Sequence, residues 1–97
     1  MPSESFPQTR PVLVRLAPLL AALFPDAERS VELPATTVGE MIDALDALWP
    51  GMRDRICDST PAIRRHMNVF IDGKRATLET RLEPGADVFI LTAISGG

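Results

Sequence analysis

Hydrophobic and polar positions along the chain fall into short blocks with two different periods. Val12-Leu13-Val14-Arg15-Leu16 alternates: Val12, Val14 and Leu16 share one face of an extended segment and Arg15 lies on the other, which predicts a strand. Pro18 closes it. Leu19 to Phe24 is apolar but short, and reads as a helical turn or loop packed on the body. Ser30-Val31-Glu32-Leu33 is a second brief strand, ended by Pro34. It lies near enough in sequence to form a hairpin-like pair with the first.

The period then changes. Val38, Met41, Ile42, Leu45, Leu48 and Trp49 follow the i, i+3, i+4 spacing of a helix with one buried stripe, while Glu40, Asp43 and Asp46 mark its solvent side. Thr37-Val38-Gly39-Glu40 fits a capping box, in which the threonine hydroxyl accepts from the third helical N–H and the glutamate reaches back. Pro50-Gly51 stops the helix. Met52 to Cys57 reads as another short turn with Met52 and Ile56 inward, and Asp58-Ser59-Thr60-Pro61 as loop.

The rest of the chain reads as strands. Met67-Asn68-Val69-Phe70-Ile71 is followed by Asp72-Gly73, a tight-turn signal. The chain then returns through Lys74 to Leu78, a short edge segment. Leu82 to Asp87 is a turn built on Pro84-Gly85. Asp87 to Ala93 is apolar at nearly every position, the pattern of a strand in mid-sheet. A capped amphipathic helix must bury its stripe on a sheet face. The order of elements therefore predicts an α+β domain: a mixed sheet of four or five strands with one main helix across it, the first and last strands side by side in the middle.

Composition narrows the class. The 97 residues suit one domain, and 45% are hydrophobic, enough for a modest core. Residues 1–10 are polar with two prolines and read as a disordered leader, without the basic head and apolar core of a signal peptide. No apolar run is long enough to span a membrane. A single cysteine forms no internal disulfide, which suits the cytoplasm. Net charge is −3, which argues against nucleic acid as a partner. One cysteine also cannot hold an iron–sulfur cluster, and no metal site or bound cofactor is expected.

Few side chains invite chemistry. Cys57 has no histidine or cysteine at motif spacing and reads as a small core residue. His66, the only histidine, reads as a surface residue at a strand start, not an acid–base group. Arg53, Arg55, Arg64 and Arg65 are ordinary solvated residues unless an acidic partner meets them. Asp43 and Asp46 imply no metal, and Trp49 anchors its helix. The most telling feature is the end, Ser95-Gly96-Gly97, directly after the last apolar strand. Glycine buries nothing and orders at an entropic cost. This predicts a thin arm whose only reactive group is the terminal carboxylate, although a frayed end would look the same. Strand alternation adds a body surface. If Val88 and Ile90 face the helix, Phe89 and Leu91 point to the opposite side, joined by Phe70 if Met67, Val69 and Ile71 face inward. Such a cluster is either a docking patch or is covered by the leader or the 19–24 segment.

Four local patterns carry a resemblance: Thr37-Val38-Gly39-Glu40 with Leu45, Leu48 and Trp49-Pro50-Gly51; residues 65–73; Leu82-Glu83-Pro84-Gly85-Ala86-Asp87-Val88; and Ala93-Ile94-Ser95-Gly96-Gly97. Together, over residues 11–97, they resemble the ubiquitin-like β-grasp fold and, within it, the MoaD/ThiS sulfur-carrier family. The resemblance implies a β-grasp domain over 11–95 and a flexible tail at 96–97. It implies that an ATP-dependent, E1-like activating enzyme adenylates the Gly97 carboxylate. Sulfur then replaces AMP to give a thiocarboxylate, and an acceptor enzyme takes the sulfur. Gly96 and Ser95 thread the tail into the enzymes, and Phe70, Phe89 and Leu91 dock the body. The chain would be a protein cosubstrate with no catalytic residue of its own, in the manner of a molybdopterin synthase small subunit. It is longer than that subunit through residues 52–65, so cysteine or thiamine synthesis stay open as destinations. So do a ubiquitin-like modifier conjugated through Gly97 and an adaptor whose tail is inert.

Overall fold

The computed structural model describes residues 10–60 and 62–92. Eight elements follow in order: β1 (Val12–Leu16), α1 (Pro18–Ala21), β2 (Ser30–Leu33), α2 (Val38–Leu48), α3 (Met52–Ile56), β3 (Met67–Ile71), β4 (Lys74–Arg75) and β5 (Asp87–Thr92). The strands form one mixed sheet in the order β2-β1-β5-β3-β4. β1 and β5 are parallel neighbours, and the remaining pairs are antiparallel. The expected α+β sheet with one main helix is what the chain forms.

One face of the sheet and α2 share a single core. Val12, Val14, Val69, Val88 and Ile90 from the strands are fully buried with Val38, Met41, Ile42 and Leu45 from the helix. Each such side chain contributes about 1.5–3 kcal/mol relative to exposure. α3 adds Met52 and Ile56, also fully buried. Trp49, 8% exposed, closes the stripe, but Leu48 does not belong to it: it is 49% exposed. The helix ends at Leu48, and Trp49 is extended (φ −132°, ψ 90°), which turns the indole inward and leaves Leu48 outside.

The capping box forms with one change. Thr37 Oγ1 accepts from the Glu40 N–H at 3.1 Å. Glu40 reaches past the cap residue, and its Oε1 accepts from Thr36 N at 2.9 Å and Thr36 Oγ1 at 2.6 Å. These bonds hold the Glu40 carboxyl below its usual range. The first two helical N–H groups, of Val38 and Gly39, donate to the carbonyls of Thr80 and Leu78 at 3.0 Å each. The return segment therefore serves the helix start, and β4 stops at Arg75 instead of running on to Leu78. Asp46, expected on the solvent side, is half-buried: its Oδ1 accepts from Gly51 N and Arg53 N at 3.0 Å each. It thereby joins the end of α2 to the start of α3, across Gly51, whose φ of +99° favours glycine.

Candidate functional site

β5 lies between β1 and β3, and burial of its side chains alternates from Asp87 to Ile90. Val88 and Ile90 are fully buried on the helix side, whereas Phe89 is 41% exposed on the other. Register then decides what surrounds Phe89. On β3, Phe70 lies opposite Phe89 and Asn68 opposite Leu91. On β1, Arg15 is beside Phe89 and Leu13 beside Asp87. Arg75 of β4 is opposite Phe70. Phe70, Phe89 and Leu91, expected together from alternation alone, do lie together on the open face.

They line a shallow concavity of about 350 Å³ with Asp72, Gly73 and Asp87. The turn after β3 shapes its lower end. Asp72 and Gly73 both have positive φ, +50° and +88°, the geometry of the tightest hairpin turn. Asp72 N donates to the Asp87 carbonyl at 2.9 Å, which ties that turn to the start of β5. Arg15 Nε stands 3.5 Å from Asp87 Oδ1, with both side chains about half exposed (49% and 50%). Such a pair contributes no more than about 1 kcal/mol in water. It puts charge beside the apolar patch, with Asp87 in the lining of the concavity and Arg15 next to Phe89 in register. No residue of the 19–24 segment lines this concavity; Leu20, Ala21 and Phe24 pack into the helix-side core.

Residues 93–97, and with them Ser95, Gly96 and Gly97, lie outside the described residues, as do residues 1–9. Two anchors beside them are described. Arg10, counted with the leader, accepts at its carbonyl from Gly85 N at 3.3 Å. Thr92, the last residue of β5, pairs with Met67 at the start of β3. The central strand thus carries the chain to one corner of the sheet, and a run the length of 93–97 reaches at most about 17 Å beyond it.

The other candidates stay apart from this face. Cys57 is 4% exposed, and burial pushes its thiol up, opposed in part by Arg53. His66 is exposed in the turn before β3. Arg53 pairs with Asp43 at 2.5 Å on the helix side. Among the described residues no group of three His, Cys, Asp or Glu side chains could hold a metal. Nor is any helix among them long and apolar enough to cross a membrane. Sequence reasoning did not find the Arg15–Asp87 pair, which only the parallel register of β1 and β5 creates, nor the placing of Arg75 opposite Phe70.

With this geometry the sequence match becomes decisive, since the sequence model of the ThiS family matches residues 18–97, all of the chain from α1 onward. The chain belongs to the ThiS family. Solved structures agree. SAMP1 from Haloferax volcanii is similar at 26% identity and TM-score 0.76, over 90% of this chain and 99% of that one. A chain of the Amycolatopsis orientalis BexX/CysO complex is similar at 28% identity and TM-score 0.77, over 89% and 99%. Mycobacterium tuberculosis CysO, described as an antigen, is similar at 25% identity and TM-score 0.74, over 86% and 99%. No curated protein matches the chain. As a ThiS-family member it has the ubiquitin-like β-grasp fold of the MoaD/ThiS sulfur carriers.

Proposed function

We propose that this ThiS-family chain carries sulfur on the carboxylate of Gly97. An E1-like activating enzyme joins that carboxylate to AMP at the expense of ATP, releasing pyrophosphate. A free carboxylate is a poor acyl donor, and the mixed anhydride supplies a leaving group. A hydrosulfide equivalent attacks the carbonyl carbon, a C–S bond forms, the bond to the phosphate oxygen breaks and AMP departs. The resulting thiocarboxylate enters an acceptor enzyme, which takes the sulfur. Gly96 and Gly97 have no Cβ, so the backbone threads a narrow channel without crowding the reacting carbonyl. Phe70, Phe89 and Leu91 give both enzymes an apolar surface on a rigid sheet.

The observation that carries this reading is that the family match runs through Gly97 while β5, the central strand, ends at Thr92, close to it in sequence. The first-choice acceptor is the large subunit of a molybdopterin synthase-type enzyme; cysteine and thiamine synthesis are the other destinations for the same chemistry. The complex of BexX with CysO, in a structure similar to this chain, supports a partner enzyme that receives the carrier. A second reading rests on the similarity to a protein named small archaeal modifier protein 1, at 23% identity: conjugation of Gly97 to lysines through the same adenylate. Intact mass after incubation with an activating enzyme, ATP and a sulfur donor separates the two. The expected product is the chain with one oxygen replaced by sulfur, absent when Gly97 is deleted. Conjugates alone, with no sulfur-for-oxygen exchange, would rule out the carrier.

A further inference from the structure

The outer margin of β3 carries a second surface, unlike the apolar face. β4 pairs only with Phe70 and Ile71, and the Ala76 N–H donates to the Val69 carbonyl at 2.8 Å. Met67 and Asn68 thus have no strand on their outer side among the described residues. In place of one there is a concavity of about 300 Å³ whose polar lining is Arg64, Arg65, Asn68 and Arg75, with no carboxylate among the lining residues. All three arginines are exposed, and none forms an ion pair among the described residues. Arg64 is held in place, its Nε donating to the Asp54 carbonyl at 2.9 Å, with the Asp58 carboxylate near enough to feel its charge. On a chain of net charge −3, three arginines around one concavity are a concentrated feature of opposite sign.

Position gives the cluster its meaning. The Met67 N–H donates to the Arg64 carbonyl at 2.9 Å, and Met67 is the register partner of Thr92. Arg64 and Arg65 therefore border the end of β5 at Thr92, and Arg75, opposite Phe70, stands further along the same margin of β3. We propose that Arg64, Arg65 and Arg75 form a docking site for an acidic, extended segment of the enzyme that receives the tail. Arginine suits this role because its planar fork meets carboxylates in pairs. An extended segment suits the place because β4 pairs only with Phe70 and Ile71, which leaves room along the margin beside Met67 and Asn68. Nucleic acid fits less well: the lining offers no aromatic ring for a base, and the rest of the molecule repels phosphate. The identity of the partner rests on the carrier reading, whereas the surface itself does not require an active tail.

The test uses the full chain, isotope-labelled, titrated by NMR with a short peptide alternating glutamate and valine. The expected result is a set of shifts at Arg64, Arg65, Asn68 and Arg75 that weakens with salt. Each of R65Q and R75Q should weaken binding about twofold to fivefold, and R64E/R65E/R75E roughly tenfold or more. Deleting Gly97 should leave binding unchanged, so failure of the tail chemistry and failure of this surface are distinguishable. If the triple variant is unfolded, the two single variants decide. Shifts elsewhere on the molecule, affinity indifferent to R65Q and R75Q, or equal binding of a single-stranded oligonucleotide would each overturn the proposal.

Discussion

Burial changes from one residue to the next along β5, and that fixes which side chains are available for chemistry or contact. Val88 and Ile90 are sealed in the core while Phe89, between them, is 41% exposed. The apolar run from Val88 to Leu91 looks uniform in composition, and only the period of two divides it. The same reasoning separates Cys57 from a reactive thiol. Its side chain is 4% exposed beside Ile56, and burial disfavours the thiolate. A thiol reagent applied to the folded chain should therefore label Cys57 roughly tenfold or more slowly than in denaturant. Equal rates in the two states would show an accessible, activated cysteine. Isolation in sequence was enough to read Cys57 as a core residue. The spacing of Leu48 fits the stripe, and the break in backbone at Trp49, which takes it out, has no signature in a helical period.

At the scale of elements, the helix starts and stops were legible because their chemistry is local. Thr37 caps α2, and Asp72-Gly73 turns β3 into β4. What stayed hidden was service between elements. The N–H groups of Val38 and Gly39 are satisfied by carbonyls 40 or so residues downstream, which draws residues 78–80 away from the sheet and leaves β4 short. Asp46 is the clearest case. On a helical wheel it is a solvent-side acid, yet it accepts two backbone N–H bonds that start α3. Asp46→Ala should lower stability by about 1–2 kcal/mol, the usual loss for a capping acceptor at a partly buried position. Chemical denaturation measures this directly. Asp46→Asn, which keeps an acceptor oxygen, should recover most of the loss. A free-energy change near zero for Asp46→Ala would mean that water replaces the carboxylate at no cost.

The described residues form one sheet with two unlike faces, and its central strand contributes to both. The helix-side face holds the fold together; the other face carries Phe70, Phe89 and Leu91, the docking surface of the proposed function. Neighbouring positions on β5 should therefore fail in different ways. Ile90→Ala removes a fully buried side chain and should cost about 2–5 kcal/mol of stability. Its effect on adenylation should follow the folded fraction and vanish where the variant is fully folded. Phe89→Ser changes a side chain outside the core cluster and should change stability by no more than roughly 1 kcal/mol. It should nonetheless reduce ATP–pyrophosphate exchange by the activating enzyme by roughly tenfold, the scale of a lost aromatic anchor at an interface. The loss should fall on the apparent affinity for the carrier, since Phe89 touches neither Gly97 nor ATP in this reading. Unchanged exchange by a folded Phe89→Ser chain would remove the open face from recognition. The tail, and the arginine-lined edge of β3 beside its point of departure, would then have to supply the specificity alone.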